Sequence, residues 1–342
     1  MLTKNKKTFI IAEAGVNHNG KLSNALKLVK LAKNCGADAI KFQTWDTNEI
    51  IIPNTNRPKY QLKDNKDFDQ YNFAKNLELN HNEFSTIYKY CKKIGIMFLS
   101  TADDIKSVRF LKNLQSIFKV GSADFNNYQI ISEIIKLKKY IILSTGFSDL
   151  KDISDVIKFF QKKKFNYKKK LALLHCNSAY PTPFNDINLK VIPKLKKKFG
   201  VKVGLSDHSI SDECAIGAVS LGAKIIEKHI TLNKKMPGPD HSTSLNGREF
   251  KSMVKKIRNI EMALGSEKKK ITKSALLNKK LMMRSIVARK RINRGQKFTF
   301  LNICSKRPKG GIDPKFFFKL INKQSKNSYK LNQKIKRSEL KN

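Results

Sequence analysis

Two histidines in the second half of the chain have the placement expected of metal ligands. His208 and His229 each stand just after a short apolar segment, at 201–205 and 224–228. Neighbouring strands of a sheet lie about 5 Å apart, so imidazoles at adjacent strand ends can reach one ion. A divalent metal with two histidine ligands and open positions can activate a carbonyl as a Lewis acid. The alternative is that both histidines only hydrogen-bond a loop.

Two lysines interrupt apolar segments in which a charge is costly. Lys41 and Lys119 lie within 39–42 and 117–120, and a buried ammonium group needs an anionic partner. Hydroxyl side chains and glycines follow several such segments, a combination suited to a phosphate and a carboxylate. The hydroxyl side chains are those of Thr101, Ser122, Ser144, Ser178 and Ser206. Taken singly, each is also a common turn residue or helix cap.

Three carboxylates follow the same kind of segment. Glu13 and Asp124 come after the first and fourth apolar segments, and Asp240 lies in the sequence PGPDH at 237–241. A carboxylate beside an activated carbonyl can orient sugar hydroxyls or transfer a proton. The alternative for all three is an ion pair with the lysines of the same site.

The elements that must hold these residues repeat along the chain. A short, largely β-branched apolar segment is followed by an amphipathic helical stretch, and this unit recurs eight times in about 265 residues. This size predicts an α/β fold, a (β/α)8 TIM barrel, in which catalytic groups gather at the carboxyl ends of the strands. The predicted strands are 8–12, 39–42, 97–100, 117–120, 140–143, 172–175, 201–205 and 224–228.

The repeat also predicts the domain organisation. Residues 1–265 form the barrel domain, 266–283 a lysine-rich linker, and 284–342 a small second domain with short strands. The final residues, from 336 onward, are expected to be frayed. The long connection at 44–79 follows a strand and is expected to be a lid or binding loop.

Composition narrows the function classes. The 70 Lys and Arg against 27 Asp and Glu give a formal net charge of +43, which by itself suggests a polyanionic partner. However, the lysine triplets fall at helix ends and in the linker, and no basic stripe with interleaved aromatics appears. We therefore expect no nucleic-acid and no membrane partner. The lack of a long apolar run and five scattered cysteines predict a cytoplasmic protein with reduced thiols.

Seven short motifs occur together along most of the chain. They are IAEAGVNHNG at 11–20, KFQT at 41–44, LHC at 174–176, YPTP at 180–183, GLSDH at 204–208, IEKH at 226–229 and PGPDH at 237–241. Together they resemble the sialic acid synthase family, which condenses phosphoenolpyruvate with an N-acylated hexose to give nine-carbon 2-keto acids. RSIVA at 284–288 and KRP at 306–308 resemble the antifreeze-like (SAF) domain of that family.

The resemblance implies a role for each candidate residue. His208 and His229 would bind a divalent ion, Mn²⁺ first, with Mg²⁺ or Co²⁺ as alternatives. Glu13 would be the general acid or base. The phosphoenolpyruvate site would comprise Lys41, Thr101, Lys119, Ser122, Ser144, Ser178 and Ser206. The sugar would face Glu13, Gln43, Asp124, Tyr180 and Asp240.

The same resemblance implies the assembly and the substrate. The SAF domain would be swapped within a homodimer, so that Arg284 or Arg307 reaches the partner's sugar site, where a rigid guanidinium can hold an amide carbonyl. N-acetylmannosamine, giving N-acetylneuraminate, is the favoured sugar. The alternative is 2,4-diacetamido-2,4,6-trideoxymannose, giving legionaminate, and a pseudaminate precursor comes third.

Two positions depart from the family pattern. After Ser100-Thr101 the pattern continues Pro-Phe-Asp, but this chain has Ala102-Asp103-Asp104, and an added carboxylate near an anion site weakens phosphate binding unless it points away or pairs with a lysine. In the second domain Asn322 stands where the pattern has glycine.

Overall fold

The computed structural model describes residues 7–58 and 69–341. The chain forms two compact units divided after Gly265. The first unit is a closed barrel of eight parallel strands in sequence order, which confirms the predicted eight-stranded architecture. The strands are β1 Phe9–Gly15, β2 Ala39–Thr44, β3 Met97–Ala102, β4 Ile117–Val120, β5 Tyr140–Ser144, β6 Leu171–Cys176, β7 Lys202–Asp207 and β8 Ile225–His229.

Most strands extend one to three residues beyond the predicted ends. The apolar pattern stops at Ala12 and Leu205, whereas β1 and β7 continue to Gly15 and Asp207. The pairing of parallel strands depends on backbone hydrogen bonds, so a polar side chain does not end it. Glu13 and His229 therefore lie within strands and not in loops.

Helices follow each strand and cover the barrel. In α4, for example, Asn80 caps the first turn together with Glu83, and Gly95 ends the helix in the left-handed conformation at φ 72°. The helices of the first unit are α1 Leu22–Asn34, α2 Thr47–Ile50, α3 Gln70–Leu77, α4 His81–Ile94, α5 Ile105–Leu111, α6 Tyr128–Lys136, α7 Leu150–Lys162, α8 Tyr167–Lys170, α9 Phe184–Ile187, α10 Val191–Phe199, α11 Glu213–Ser220 and α12 Gly247–Leu264.

The apolar core has two parts. The larger packs the outward faces of the strands against the helices, and the smaller fills the barrel interior with residues such as Ile11, Leu99 and Ile142. Gly204 of β7 completes that interior layer, because a Cβ there would lie 2.2 Å from the carbonyl oxygen of Ile225. The interior is thus packed at this level, and polar groups fill the space toward the carboxyl ends.

The predicted lid and the predicted linker both contain helices. The 44–79 connection includes α2 and α3, and its residues 59–68 lie outside the described part of the chain. In the second unit, α13 (Lys273–Met282) occupies much of the expected linker. This helix was not predicted, because its leucines are exposed and the helix therefore has no buried apolar face.

The second unit has its own apolar core. The antiparallel strands β9 (Ser285–Ala288) and β10 (Ile303–Lys306) pack with Phe298 and Tyr329, and α14 is Phe317–Leu320. Asn322, which replaces the expected glycine, has φ 68°, and asparagine tolerates this left-handed conformation better than other non-glycine residues.

The expected fraying of the C-terminal segment is wrong for Arg337–Leu340, which form a 3-10 helix. Glu339 is buried there and accepts hydrogen bonds from the Tyr329 hydroxyl, the Asn327 side chain and the Lys326 backbone. All five cysteines lie in the described part of the chain and carry free thiols. Across the described residues, no helix combines the length and apolarity needed to cross a bilayer.

Candidate active site

The carboxyl ends of the strands surround a cavity of about 730 Å³. Its wall contains thirteen of the residues singled out from the sequence: Glu13, Lys41, Gln43, Thr101, Lys119, Ser122, Asp124, Ser144, Ser178, Tyr180, Ser206, His208 and His229. Asp240 lines a smaller adjoining cavity of about 200 Å³, which also contacts Gln43, Tyr180 and His229. Arg284 and Arg307 belong to the second unit and are exposed.

Buried lysines and glutamates form a connected network on one side of this cavity. Lys41 Nζ lies 2.7 Å from Glu13 Oε2 and donates to the Thr101 hydroxyl at 3.1 Å. Glu227 Oε2 is 3.8 Å from Lys41 Nζ, and Glu227 Oε1 is 3.3 Å from Lys119 Nζ. The pairing of Glu13 with Lys41 is the alternative that the sequence had left open for this carboxylate.

The two glutamates of the network differ in charge. Burial raises the pKa of Glu13 to about 8, with the Glu227 carboxylate acting in the same direction and Lys41 opposing it. Burial also acts to raise the pKa of Glu227, but Lys119 and Lys41 outweigh it and hold that pKa at about 2. Near neutral pH Glu13 therefore holds a proton and Glu227 is ionised, so the two glutamates carry one negative charge against the two lysines. The positive charge of the two lysines on the cavity wall therefore favours binding of an anion.

Hydroxyl groups stand opposite the lysines with free hydrogen-bonding capacity. The Ser144 hydroxyl is buried and has no hydrogen-bond partner among the described residues. Gly146 leaves room for two further hydroxyls, because a Cβ there would lie 2.4 Å from Ser178 Oγ and 2.8 Å from Ser122 Oγ. Lysines and serines together offer the donors that a phosphate or carboxylate accepts.

The two histidines lie side by side, with ring centroids 5.5 Å apart. His208 Nδ1 is 2.6 Å from the carbonyl oxygen of Asn177. Because a carbonyl oxygen can only accept a hydrogen bond, Nδ1 carries the proton and Nε2 carries the lone pair. That nitrogen is 3.0 Å from the Tyr180 hydroxyl. His229 Nδ1 is buried without a hydrogen-bond partner among the described residues and lies 3.6 Å from Asp240 Oδ2. His208 thus bonds the loop after β6 with both nitrogens, as the alternative reading of the sequence expected.

Both imidazoles are suited to binding a cation. Burial lowers the pKa of His208 to about 4 and that of His229 well below its usual value, so both rings are neutral near pH 7. A cation would take the lone pair of His208 Nε2 in place of the Tyr180 hydroxyl, which donates to it here. The described residues contain no group of three or more His, Cys, Asp or Glu arranged around one ion. These two side chains fit a metal whose remaining positions are filled by substrate or water.

Two residues of the wall were missed or left undecided in the sequence analysis. Glu227 was not chosen, although it lies two residues before His229 on β8 and strand alternation places both on one face. Asp103, the departure from the family pattern, points into both cavities. Burial, and then the Asp124 carboxylate, raise the pKa of Asp103 to about 7. Asp124 itself accepts a hydrogen bond from Asn127.

The smaller cavity has a mixed wall. Trp45, Ile50, Ile51 and Phe73, all from the 44–79 connection, form its apolar side, and its polar side is formed by Gln43, Gln70, Asp103, Tyr180, His229 and Asp240. Burial raises the pKa of Asp240 to about 6. Apolar contacts with a few hydrogen-bonding groups are typical of a site for a small amphipathic ligand.

Comparisons with known proteins agree on one family. The sequence profile of the NeuB family matches residues 28–269. The N,N'-diacetyllegionaminic acid synthase of Campylobacter jejuni is 40% identical over 97% of this chain and 99% of its own length. A pseudaminic acid synthase of the same species is 37% identical over 98% and 97%. The crystal structure of N-acetylneuraminic acid synthetase from Leptospira borgpetersenii with citrate has a TM-score of 0.69 and 32% identity, covering 80% of this chain and 90% of that one.

Proposed function

Because the chain belongs to the NeuB family, whose synthases condense phosphoenolpyruvate with a sugar, it is a transferase that forms carbon–carbon bonds, and we propose that it makes a nine-carbon 2-keto acid from an N-acylated hexosamine. The observation that carries the proposal is the convergence of Lys41, Lys119 and the unpartnered Ser144 hydroxyl on one cavity beside two neutral histidines. An anionic enol phosphate needs the first set of groups, and an aldehyde needs the second.

Phosphoenolpyruvate would occupy the larger cavity. Lys41 and Lys119 would neutralise its phosphate and carboxylate, since both ammonium groups are buried and have only one ionised glutamate between them. The hydroxyls of Thr101, Ser122, Ser144 and Ser178 would donate to the oxygens that the lysines leave free. Ser206 would contact the ligand from the same wall, while its hydroxyl donates to Glu227 Oε1 at 3.0 Å. Donors fixed on strands need little reorganisation when charge moves to the leaving phosphate.

The sugar would lie toward the smaller cavity, among Gln43, Asp124, Tyr180 and Asp240. Its wall of Trp45, Ile50, Ile51 and Phe73 can take methyl groups, which a 2,4-diacetamido-2,4,6-trideoxyhexose presents at two acetyl groups and C6. With the 40% identity to a legionaminic acid synthase, this favours 2,4-diacetamido-2,4,6-trideoxymannose. N-acetylmannosamine, favoured by the sequence alone, becomes the second candidate, supported by the likeness to an N-acetylneuraminic acid synthetase.

In the proposed reaction, C3 of phosphoenolpyruvate forms a bond to the aldehyde carbon of the open-chain sugar. The aldehyde oxygen takes up a proton, water adds at C2, and C2 becomes a carbonyl as its bond to the phosphate oxygen breaks. Of the two protons of that water, one leaves with the phosphate and the other replaces the proton given to the aldehyde oxygen. Glu13 would supply the proton, because the pKa of its buried carboxyl is about 8 and it holds one near neutrality. Lys41 would keep that carboxyl in place at 2.7 Å.

NeuB-family synthases are generally metal-dependent, and the two histidines fit this requirement. His208 Nε2 and the lone pair of His229 would hold the divalent ion, Mn²⁺ first and Mg²⁺ or Co²⁺ as alternatives. When bound, the ion would polarise the aldehyde oxygen. Tyr180 would keep the His208 ring in place, since the two rings stack with centroids 4.1 Å apart.

The second unit would be the antifreeze-like domain and would be exchanged within a homodimer. Arg284 and Arg307 are both exposed and lie in the two motifs that resemble this domain. One of them would contact the sugar bound by the partner. Mixing an Arg307→Ala chain with a His208→Ala chain, each inactive alone, should then restore activity in mixed dimers. If activity returns when the His208→Ala chain is mixed with an Arg284→Ala chain and not with an Arg307→Ala chain, Arg284 is the residue that contacts the sugar. If neither mixture is active, the exchange of the second unit between subunits is refuted.

The function is tested by phosphate release. Purified protein with Mn²⁺ and phosphoenolpyruvate should release phosphate only when an N-acylated sugar is added. In competition among 2,4-diacetamido-2,4,6-trideoxymannose, N-acetylmannosamine and the pseudaminate precursor, the first should give the highest kcat/KM. No release with any of the three would refute the proposal. A preference for N-acetylmannosamine would refute only the choice of sugar.

A further inference from the structure

A second buried ion pair lies behind the two histidines. Lys228 Nζ is 2.9 Å from Asp207 Oδ2, and both side chains are 1% exposed. The two residues are direct partners in the register of β7 and β8. Alternation along the strands points them away from the side where Ser206, Glu227, His208 and His229 line the cavity.

Lys228 contacts the chain on both sides of His208. Besides Asp207, its ammonium group donates to the carbonyl oxygen of Ser209 at 2.5 Å and contacts the Ser209 hydroxyl at 3.2 Å. The Ser209 backbone N–H donates to Asp207 Oδ1 at 2.8 Å, which closes a turn around His208. We refer to Asp207, Ser209 and Lys228 as the histidine clamp.

Stability alone gives little reason to bury this pair. Desolvating two charges costs several kcal/mol per ion, and well-packed apolar residues of similar size often stabilise a protein equally well. The clamp instead has a geometric consequence. It joins the residues before and after His208 to the residue immediately before His229. Three oxygen atoms lie within 3.2 Å of Lys228 Nζ, two from Ser209 and one from Asp207, and they restrict the position of the ammonium group.

We propose that Lys228 is a positioning residue that, through Asp207 and Ser209, sets the separation and orientation of the His208 and His229 rings for cation binding. The inference depends on the proposed function, because it assigns the histidine pair to a metal. Residues that orient metal ligands from behind typically affect metal affinity 10- to 100-fold. The clamp acts on both ligands at once, since each is adjacent in sequence to one of its members.

The test measures binding of Mn²⁺ alone, from the electron paramagnetic resonance signal of the free ion. Removing both charges together, in Asp207→Asn/Lys228→Met, avoids leaving one buried charge unpaired. This variant should have a Kd for Mn²⁺ that is roughly 10 to 100 times the wild-type value. The matched control is Asp212→Asn/Lys256→Met, which removes a pair of the same length, 2.9 Å, whose lysine is 52% exposed. Its Kd should stay within twofold of the wild-type value.

The outcomes separate positioning from folding. A clamp variant that keeps the wild-type thermal transition and loses Mn²⁺ affinity supports the proposal, whereas a folded one with an unchanged Kd overturns it. If the charge variant does not fold, Ser209→Ala decides, since it removes one contact of Lys228 and keeps both charges. A several-fold rise in its Kd supports the clamp and an unchanged Kd overturns it.

Failure of the clamp can be distinguished from failure of the proposed function. If the wild-type protein binds Mn²⁺ but releases no phosphate from phosphoenolpyruvate with any sugar, the proposed function fails and the clamp is still judged by Kd. If the wild-type protein is active and binds no Mn²⁺, the clamp is overturned while the synthase activity stands.

Discussion

Ion pairs of nearly equal length occur in two regions of the first unit. At the carboxyl ends of the strands, Lys228 pairs with Asp207 at 2.9 Å with both side chains 1% exposed. On the helical surface, Lys158 pairs with Asp155 at 2.8 Å with side chains 73% and 46% exposed. The pairs of the two regions therefore differ in their exposure to solvent and not in their length. Exposed pairs contribute roughly 0.2–1 kcal/mol, whereas a buried charge is strongly coupled to every neighbouring charge.

Most of the large net charge of the chain lies on its surface. Among the basic residues that the structure describes, only Lys41, Arg57, Lys119 and Lys228 are buried. Three of these are on barrel strands: Lys41 and Lys228 contact carboxylates on neighbouring strands, and Lys119 of β4 contacts Glu227 of β8 across the barrel. The remaining lysines and arginines are at least partly exposed, so most of the +43 is a property of the surface. In the proposed function, recognition of the anion would rest on a few buried groups.

The largest effect is expected from Lys119→Met. The variant removes a buried ammonium group from the proposed phosphoenolpyruvate site, so kcat/KM for phosphoenolpyruvate should fall roughly 1000-fold. Lys41 still lies 3.8 Å from Glu227 and partly balances that carboxylate. Steady-state phosphate release measures the change, and a thermal melt checks that the variant folds. A folded variant whose kcat/KM falls less than threefold would show that this buried lysine contributes no more to activity than an exposed one.

A smaller loss is expected from Glu13→Gln. The amide keeps the size of the carboxyl but cannot give up a proton, so kcat should fall roughly 100-fold while KM for phosphoenolpyruvate changes little. Single-turnover kinetics separate this loss from product release. An equal rise in KM with kcat unchanged would mean that Glu13 only holds Lys41 in place.

A pH effect is expected from Asp103. Burial, and then the Asp124 carboxylate, raise the pKa of Asp103 to about 7, so Asp103 is neutral below that pH and negative above it. The new charge faces the proposed anion site, and KM for phosphoenolpyruvate should therefore rise several-fold as pH increases from 6 to 8. In Asp103→Asn this part of the rise should disappear. Identical pH profiles for the two proteins would show that Asp103 does not act on the anion.

The smallest effect is expected from Lys158→Met. Its partner Asp155 stays in water after the substitution, so the free energy of unfolding should change by less than about 0.5 kcal/mol and kcat/KM should be unchanged. Chemical denaturation and phosphate release provide the measurements. A loss comparable to that of Lys119→Met would mean that surface charge contributes to substrate capture, in which case activity should also fall steeply with added salt.

Much of the fold could be predicted from the sequence because barrel strands are short, apolar and regularly spaced. The eight segments were found, and several of their ends fell short where polar residues such as Glu13 and Asp207 continue a strand. The helix α13 was missed, since its exposed leucines give no buried face. The last turn was wrongly expected to fray because the burial of Glu339 depends on Tyr329 and Asn327, which precede it on another part of the chain.

Residue types and spacing were enough to identify most of the polar side chains that meet at the cavity, although Glu227 was not among them. In any parallel barrel the carboxyl ends of all strands lie at the same end of the barrel. Thirteen of the chosen residues could therefore be placed on one cavity wall before any of their contacts were known. Which charged groups pair with each other depends on the folded barrel. Glu227 contacts Lys41 and Lys119, far from it in sequence, while the adjacent Lys228 faces the other way and contacts Asp207. The physical reason is register, since pairing across strands depends on how the closed barrel aligns them, and a one-residue shift would reverse every side chain.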